Sequence, residues 1–243
     1  MSQWVRTIMS HYEKAWQAVA ERIDRAARDA GRAMGTVRLL AVAKTFPADA
    51  VRAVYATGQR AFGENHVQEA AAKRQSLADL TDVEWHLIGP LQGNKTRLAA
   101  ATFDWVETVD RLKIAERLST QRPAGMAPLN VCVQVNVSGE STKSGVAPAE
   151  ALALALAVAS LPRLRVRGIM GIPAPTADPA QQRLQFRRLR ECLDHCVAAG
   201  LPMDTLSMGM SADLEAAIAE GSTQVRVGTA IFGARRAGES ESE

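Results

Sequence analysis

Lys44 closes an apolar, strand-forming run, LLAVAK, and a lysine in that position asks for a chemical explanation. Burying an ammonium costs its hydration, so such a lysine either reaches water with its charged end or gives up its proton to the burial. As a free amine it is a nucleophile for an aldehyde. Side chains alternate along a strand, which puts Lys44 on the face of Val42 and Leu40. Two later stretches, LSMGMS and VRVGTAIFG, bring Ser207, Ser211, Gly228 and Thr229 into the neighbourhood of Arg226. Hydroxyls, free backbone amides and a helix start are the groups that bind a phosphate. An amine beside a phosphate site and a fixed guanidinium describes a receptor for a phosphorylated aldehyde.

Those residues need a frame in which strand ends converge. Eight strand-like stretches alternate with helix-like ones: TVRLLAVAK, QRAFGEN, EWHLIGP, WVETVD, LNVCVQVNVS, LRVRGIMGI, DTLSMGMS and QVRVGTAIFG. The helices between them include one from about Asn94, one from about Asp178 and one from about Ser211. In APAEALALALAVAS, Leu152, Leu154 and Leu156 alternate as in a strand, but the alanine content and Pro148 favour a helix. Repeated strand-helix units close into a single (β/α)8 TIM barrel of the α/β class. An extra N-terminal helix precedes it, with Val5, Ile8, Tyr12, Trp16, Val19 and Ile23 forming an apolar stripe that must dock on something. No strand is followed by GxGxxG or GxxxxGK[ST], which weakens the alternative of an open doubly wound sheet. In a barrel, functional groups gather at the C-terminal ends of the strands. That selects Lys44, Glu64, Asn65, His86, Asn136, Ser207, Ser211, Arg226, Gly228 and Thr229. The barrel is expected over residues 1–236, with the acidic stretch 237–243 as a disordered tail.

Composition limits what such a barrel does. With 243 residues, 47% hydrophobic and 23% charged, the chain has ordinary globular composition and the size of one α/β barrel. Its net charge of +3 is mild, and no aromatic residues interleave with basic ones, so nucleic acid is not an expected partner. The basic run RLQFRRLR reads as a solvated helix face. The longest apolar run, ALALALAVASL, falls far short of the roughly 20 residues that cross a bilayer. The N-terminus lacks the apolar core of a secretion signal, which points to the cytoplasm. Cys132, Cys192 and Cys196 lack the paired spacing of a zinc site, and helix packing accounts for the last two, so no metal is expected.

Residues alone leave two classes open: a Schiff-base aldolase for sugar phosphates, and a protein that holds pyridoxal 5'-phosphate (PLP). A longer set of motifs separates them. LLAVAKTFP, GENHVQEA, WHLIGPLQGNKTR, NVSGESTKSGV, GIMGI, LSMGMSADLEAAIAEGST and VRVGTAIFGARR, in this order from about residue 37 to 236, resemble the YggS/PROSC family of PLP homeostasis proteins. The resemblance implies the barrel of the alanine racemase N-terminal domain, PLP fold type III, with no second domain. It implies PLP as cofactor, a role in intracellular vitamin B6 homeostasis without substantial catalytic turnover, a monomer, and PLP-dependent apoenzymes as recipients.

Carried over residue by residue, the resemblance makes Lys44 the Schiff-base lysine and Arg226 the residue facing the pyridine nitrogen. It makes Ser211, Gly228 and Thr229 the phosphate cradle, with Ser207 and Met208 on the same wall and Asn65 near the ring. A PLP-dependent amino-acid racemase is the alternative. It needs proton-transfer groups on both faces of the substrate, and Tyr12 and Tyr55, the two tyrosines, are expected away from the mouth. Lys95 and Lys143 are rival amines, each expected to be solvated or anion-pairing, with Lys143 a secondary contact for phosphate-bearing ligands. His86 is expected to be a hydrogen-bonded structural residue, and Asn65 either caps a helix or touches the cofactor.

Overall fold

The apolar runs pair side by side. In the computed structural model, which describes residues 3–140 and 143–233, a leading helix α1 (Gln3–Asp29) precedes the first strand. The strands are β1 (Arg38–Val42), β2 (Ala61–Glu64), β3 (Glu84–Leu87), β4 (Trp105–Val109), β5 (Leu129–Gln134), β6 (Leu164–Met170), β7 (Thr205–Met210) and β8 (Gln224–Val227). They are joined in order by α2 (Ala48–Tyr55), α3 (Val67–Ser76), α4 (Thr96–Thr102), α5 (Leu112–Gln121), α6 (Ala151–Ala159), α7 (Pro179–Ala198) and α8 (Leu214–Ala219). A last short helix, α9 (Thr229–Phe232), follows β8. Neighbouring strands are parallel and β8 pairs with β1, so the sheet closes in strand order into a barrel.

Local chemistry sets several boundaries. The Asp178 carboxylate accepts the Ala180 N–H at 2.9 Å and Pro179 takes the first helical position, which starts α7 where the sequence placed it. The Leu-Ala alternation resolves as a helix: Ala151, Leu154, Ala155 and Val158 are buried at helical spacing, and Leu156 is left exposed. Two expectations are corrected. The eighth strand ends at Val227, and Thr229–Phe232, expected to continue it, is helix α9 because Gly228 turns the chain. Ser211 does not open α8 but lies in a turn ahead of it, since the Asp213 carboxylate accepts the Met210 N–H at 2.6 Å and α8 begins only at Leu214. The expected tail at 237–243 lies outside the described residues.

Two cores result. Between strands and helices lies the larger one, with Phe62, Trp85, Leu87, Val106, Val131, Ile169, Leu206 and Val225 turned toward the helices. Inside the barrel a small apolar cluster of Trp105, Cys132 and Met170 packs together. Helix α1 lies against α2, α8 and α9, with Val19 and Ile23 buried. The side chains of Val5 and Ile8 lie outside the described part. Polar contacts fasten it: Trp16 Nε1 donates to Gln59 Oε1 at 2.9 Å, and Arg22 Nη1 to the Ser211 carbonyl at 2.8 Å. Cys192 and Cys196 are buried in the face of α7 that packs inward, as expected, although Val197 beside them is exposed. Among the described residues, no helix is long and apolar enough to cross a membrane, and no group of His, Cys, Asp and Glu could hold a metal.

Candidate functional site

Lys44 lies just past the end of β1, at the C-terminal mouth of the barrel. Ala41 and Ala43 join the helix-side core, so Leu40 and Val42 occupy the opposite, inner face. The lysine itself is exposed, which resolves the sequence question in favour of an amine that reaches out of the strand. The chain turns immediately after it. Phe46 N–H donates back to the Ala43 carbonyl at 3.1 Å, and Thr45 adopts a left-handed φ of 67° that β-branched residues rarely take. Phe46 then stacks on Phe232 of α9, with ring centroids 5.0 Å apart. The lysine turn and the helix after β8 are therefore in direct contact.

Arg226 sits on the adjoining strand, on the inner face of β8 and in register with Leu40 of β1. Its guanidinium is buried and committed on two sides: Nη1 donates to Ser207 Oγ at 2.7 Å and Nη2 to the Gly171 carbonyl at 2.8 Å. Ser207 Oγ donates in turn to Glu107 Oε2 at 2.6 Å, while Glu107 Oε1 accepts from Gln224 Nε2 at 2.7 Å. His86 Nδ1 lies 2.6 Å from the same Oε1, and because a carboxylate only accepts, Nδ1 carries the proton. The imidazole stacks on Trp105 at 5.1 Å and 7°. Burial pushes the Glu107 carboxyl up, but the His86 hydrogen bond and charge, the Arg226 charge and the Ser207 hydroxyl outweigh it and hold the group below its usual value. Burial lowers Arg226, and the Glu107 charge opposes that. The barrel interior thus contains an anion that anchors a cation aimed at the mouth.

The residues expected to cradle a phosphate follow the ends of β7 and β8. Ser211 is half-buried in the turn after β7, and Thr229 is exposed at the start of α9. The first helical bonds of α9 come from Ile231 and Phe232 to the Gly228 carbonyl, so the Thr229 and Ala230 amides precede them. Crowding favours glycine at 228: a Cβ there would lie 3.1 Å from the Val42 carbonyl oxygen and 3.3 Å from the Val42 Cβ, closer than an ordinary van der Waals contact. Asn65 is half-buried after β2 and does not cap α3, whose N-cap is His66. The capping reading of Asn65 is thereby removed. Met208 is corrected as well. Its side chain belongs to the helix-side core, because alternation turns it away from Ser207, and so it cannot line the same wall. Ser207 is fully buried and serves Arg226 from below.

The rival residues fall elsewhere. Lys143 is half-buried and lines a cavity of about 240 Å³ with Ile88, Thr108, Gln134 and Asn136, at the ends of β3 to β5. The Asn136 amide is spent on its own loop, donating to the carbonyls of Glu140 at 2.8 Å and Lys143 at 3.2 Å. Lys95 ends a single 3-10 turn, Gly93–Lys95. Tyr55 bonds Asp82 ahead of β3, far from the mouth as expected. Tyr12 comes closer than expected, packing edge-on against Phe232 at 6.1 Å. Sequence reasoning missed three buried polar residues: Glu107 and Gln224 inside the barrel, and Lys73, which pairs with Glu64 under the mouth. The available signal was alternation, since Glu107 shares its strand face with Trp105 and Gln224 with Arg226.

A parallel barrel whose mouth carries an amine, a buried guanidinium and a hydroxyl-lined turn defines a class of phosphate-binding carbonyl receptors. The sequence profile described as alanine racemase, N-terminal domain, matches residues 15–236. A pyridoxal phosphate homeostasis protein of Pseudomonas aeruginosa is 62% identical over 217 residues, covering 89% of this chain and 93% of that one. One of Escherichia coli, under the same name, is 52% identical over 219 residues, covering 89% and 94%. The solved structure of PipY from Synechococcus elongatus with PLP bound superposes with a TM-score of 0.76 at 39% identity, covering 87% of this chain and 100% of that one. The chain belongs to the alanine racemase N-terminal domain family, in the branch of the pyridoxal phosphate homeostasis proteins.

Proposed function

We infer that this chain binds PLP at the C-terminal mouth of its barrel and serves PLP homeostasis rather than catalytic turnover. The observation that carries the reading is the pairing of β1 with β8, which sets the Lys44 amine and the anchored Arg226 guanidinium on adjoining strands of one mouth. The donor set suits PLP: an amine for its aldehyde, hydroxyls and amides for its phosphate, a guanidinium for its ring nitrogen, and a glycine where a Cβ would crowd the adjoining strand. When bound, PLP supplies an aldehyde that condenses with a primary amine to a Schiff base, releasing water. In this reading Lys44 provides that amine. Ser211, Gly228 and Thr229 hold the phosphate, and Asn65 lies beside the ring.

Arg226 argues for retention over turnover. A guanidinium donates and cannot accept, so a ring nitrogen facing it acts as acceptor and stays unprotonated, and an unprotonated ring is a poor electron sink. The Glu107 anion keeps that guanidinium in place through Ser207. The protein works as a cytoplasmic monomer, with PLP-dependent apoenzymes as recipients. Borohydride reduction of the PLP-loaded protein followed by peptide mapping tests the reading. PLP is expected on Lys44, and Lys44→Ala is expected to lose that label while folding normally. Primary trapping on Lys95 or Lys143 in the unaltered protein would refute the assignment. Incubation with single amino-acid enantiomers in deuterated water tests turnover. Exchange near the common enzymatic range of about 1–1000 per second would restore the racemase alternative.

A further inference from the structure

Beneath the Lys44 turn lies an ion pair that the reading above does not use. Lys73 Nζ of α3 is 2.7 Å from Glu64 Oε1, and the two side chains are only 10% and 0% exposed. Glu64 Oε2 is buried and has no hydrogen-bond partner among the described residues. A pair this dry is a poor source of stability, because desolvation offsets the attraction, and apolar residues of similar size usually serve as well or better. Its position suggests a different use. Lys73 Nζ also donates to the carbonyl of Ala43 at 2.7 Å, and Ala43 is the residue immediately before Lys44.

Ala43 is a junction. Its N–H donates to the Gly63 carbonyl at 2.9 Å, the last tie of β1 to β2, and its carbonyl also accepts the Phe46 N–H that closes the turn. Inside that turn Thr45 is held at a φ of 67°, a conformation that persists only where its surroundings impose it. Lys73 cannot act on a ligand in the mouth itself. Glu64 shares its strand face with Phe62, which lies in the helix-side core, so the pair sits between sheet and helices, behind the mouth wall.

We propose that Lys73, with Glu64 as its counter-ion, is a positioning residue that pins the Ala43 carbonyl and thereby aims Lys44 into the mouth. The proposal rests on the reading that Lys44 carries PLP. Lys73 supplies a second hydrogen bond to the carbonyl that anchors the left-handed turn, and Glu64 holds the Lys73 Nζ in place from its other side at 2.7 Å.

The test compares the unaltered chain with Lys73→Met and with the double variant Glu64→Leu/Lys73→Met, which replaces the pair by apolar groups and so keeps the fold even where the single variant fails. Three quantities are read. The first is the site of borohydride trapping. The second is the rate at which PLP attaches to the PLP-free protein, set against the affinity for pyridoxine 5'-phosphate, which makes the ring and phosphate contacts but has no aldehyde. The third, taken without PLP, is the acylation of Lys44 by a trace reagent relative to the exposed Lys113. Expected are trapping on Lys44, attachment slowed by about tenfold or more in both variants, a pyridoxine 5'-phosphate affinity unchanged within about twofold, and an altered Lys44 to Lys113 labelling ratio. Trapping of the unaltered protein on another lysine overturns the Lys44 reading and the proposal together. Trapping on Lys44 with an attachment rate unchanged in the folded double variant overturns the proposal alone.

Discussion

Replacing Glu107 by glutamine tests the interior network with the smallest change of shape. Glu107 accepts from His86 at 2.6 Å, from Ser207 at 2.6 Å and from Gln224 at 2.7 Å, entirely out of water. A carboxamide can keep its oxygen toward His86 and Gln224, but its NH₂ then meets the Ser207 hydroxyl, which is left without an acceptor. The remaining bonds lose their charge assistance, worth roughly 1 kcal/mol or more each. The Arg226 guanidinium meanwhile loses the Glu107 charge, the larger of the two carboxylate charges acting on it, with Asp213 supplying the other. Breaking one side of a buried ionic arrangement costs about 3–5 kcal/mol, and the glutamine variant is expected in that range. For a chain of this size the loss corresponds to a melting temperature lower by roughly 6–20 °C. Urea denaturation of the PLP-free protein measures it as a shifted midpoint with unchanged slope. A loss below about 1 kcal/mol would show that Glu107 does not hold Arg226, and the account of the guanidinium as anchored from beneath would fail.

Other outcomes follow from the same geometry. Burial pushes the Glu64 carboxyl up to about 7 against the pull of Lys73, so its contribution to stability is complete below about pH 4.5 and is lost as the pH rises toward 7. Relative to Glu64→Gln, the unaltered protein is expected to lose roughly 3 kcal/mol over that interval, read from urea midpoints at successive pH values, and parallel curves would contradict it. Ser211→Ala with Thr229→Ala is expected to weaken PLP retention by well over tenfold in equilibrium dialysis, since each lost charge-assisted bond is worth roughly 1.5–3 kcal/mol. Unchanged retention would place the phosphate elsewhere.

The frame of this protein was open to sequence reasoning because period-two apolar runs and intervening helices leave strong marks. All eight strands were located, and the closed order follows from their repetition. The rim residues Lys44, Ser211, Arg226, Gly228 and Thr229 were also accessible, because barrel geometry sends strand ends to one mouth. What failed depended on packing across the barrel. Thr229–Phe232 has strand-forming residues, yet closure of the sheet at Val227 forces a turn. Glu107 was hidden because its value lies in partners from β3, β7 and β8, none of which its own neighbourhood in sequence announces. Lys73 carried no mark in the sequence, because the Glu64 carboxylate and the Ala43 carbonyl meet it only in the folded chain. Met208 shows the reverse: strict alternation would have turned it away from Ser207, and the resemblance drew both onto one wall.

The partners of Glu107 also fix when in folding its bonds can form. Ser207 is 100 residues further along the chain and Gln224 is 117. Neither bond can form until the seventh and eighth strands have docked, and on that ground both are expected to form late, on the native side of the folding barrier. A residue of that kind governs how long the closed barrel survives more than how fast it is reached. The Glu107→Gln variant should therefore refold at nearly the normal rate and open much faster, its whole cost appearing in the unfolding limb of a denaturant-jump experiment.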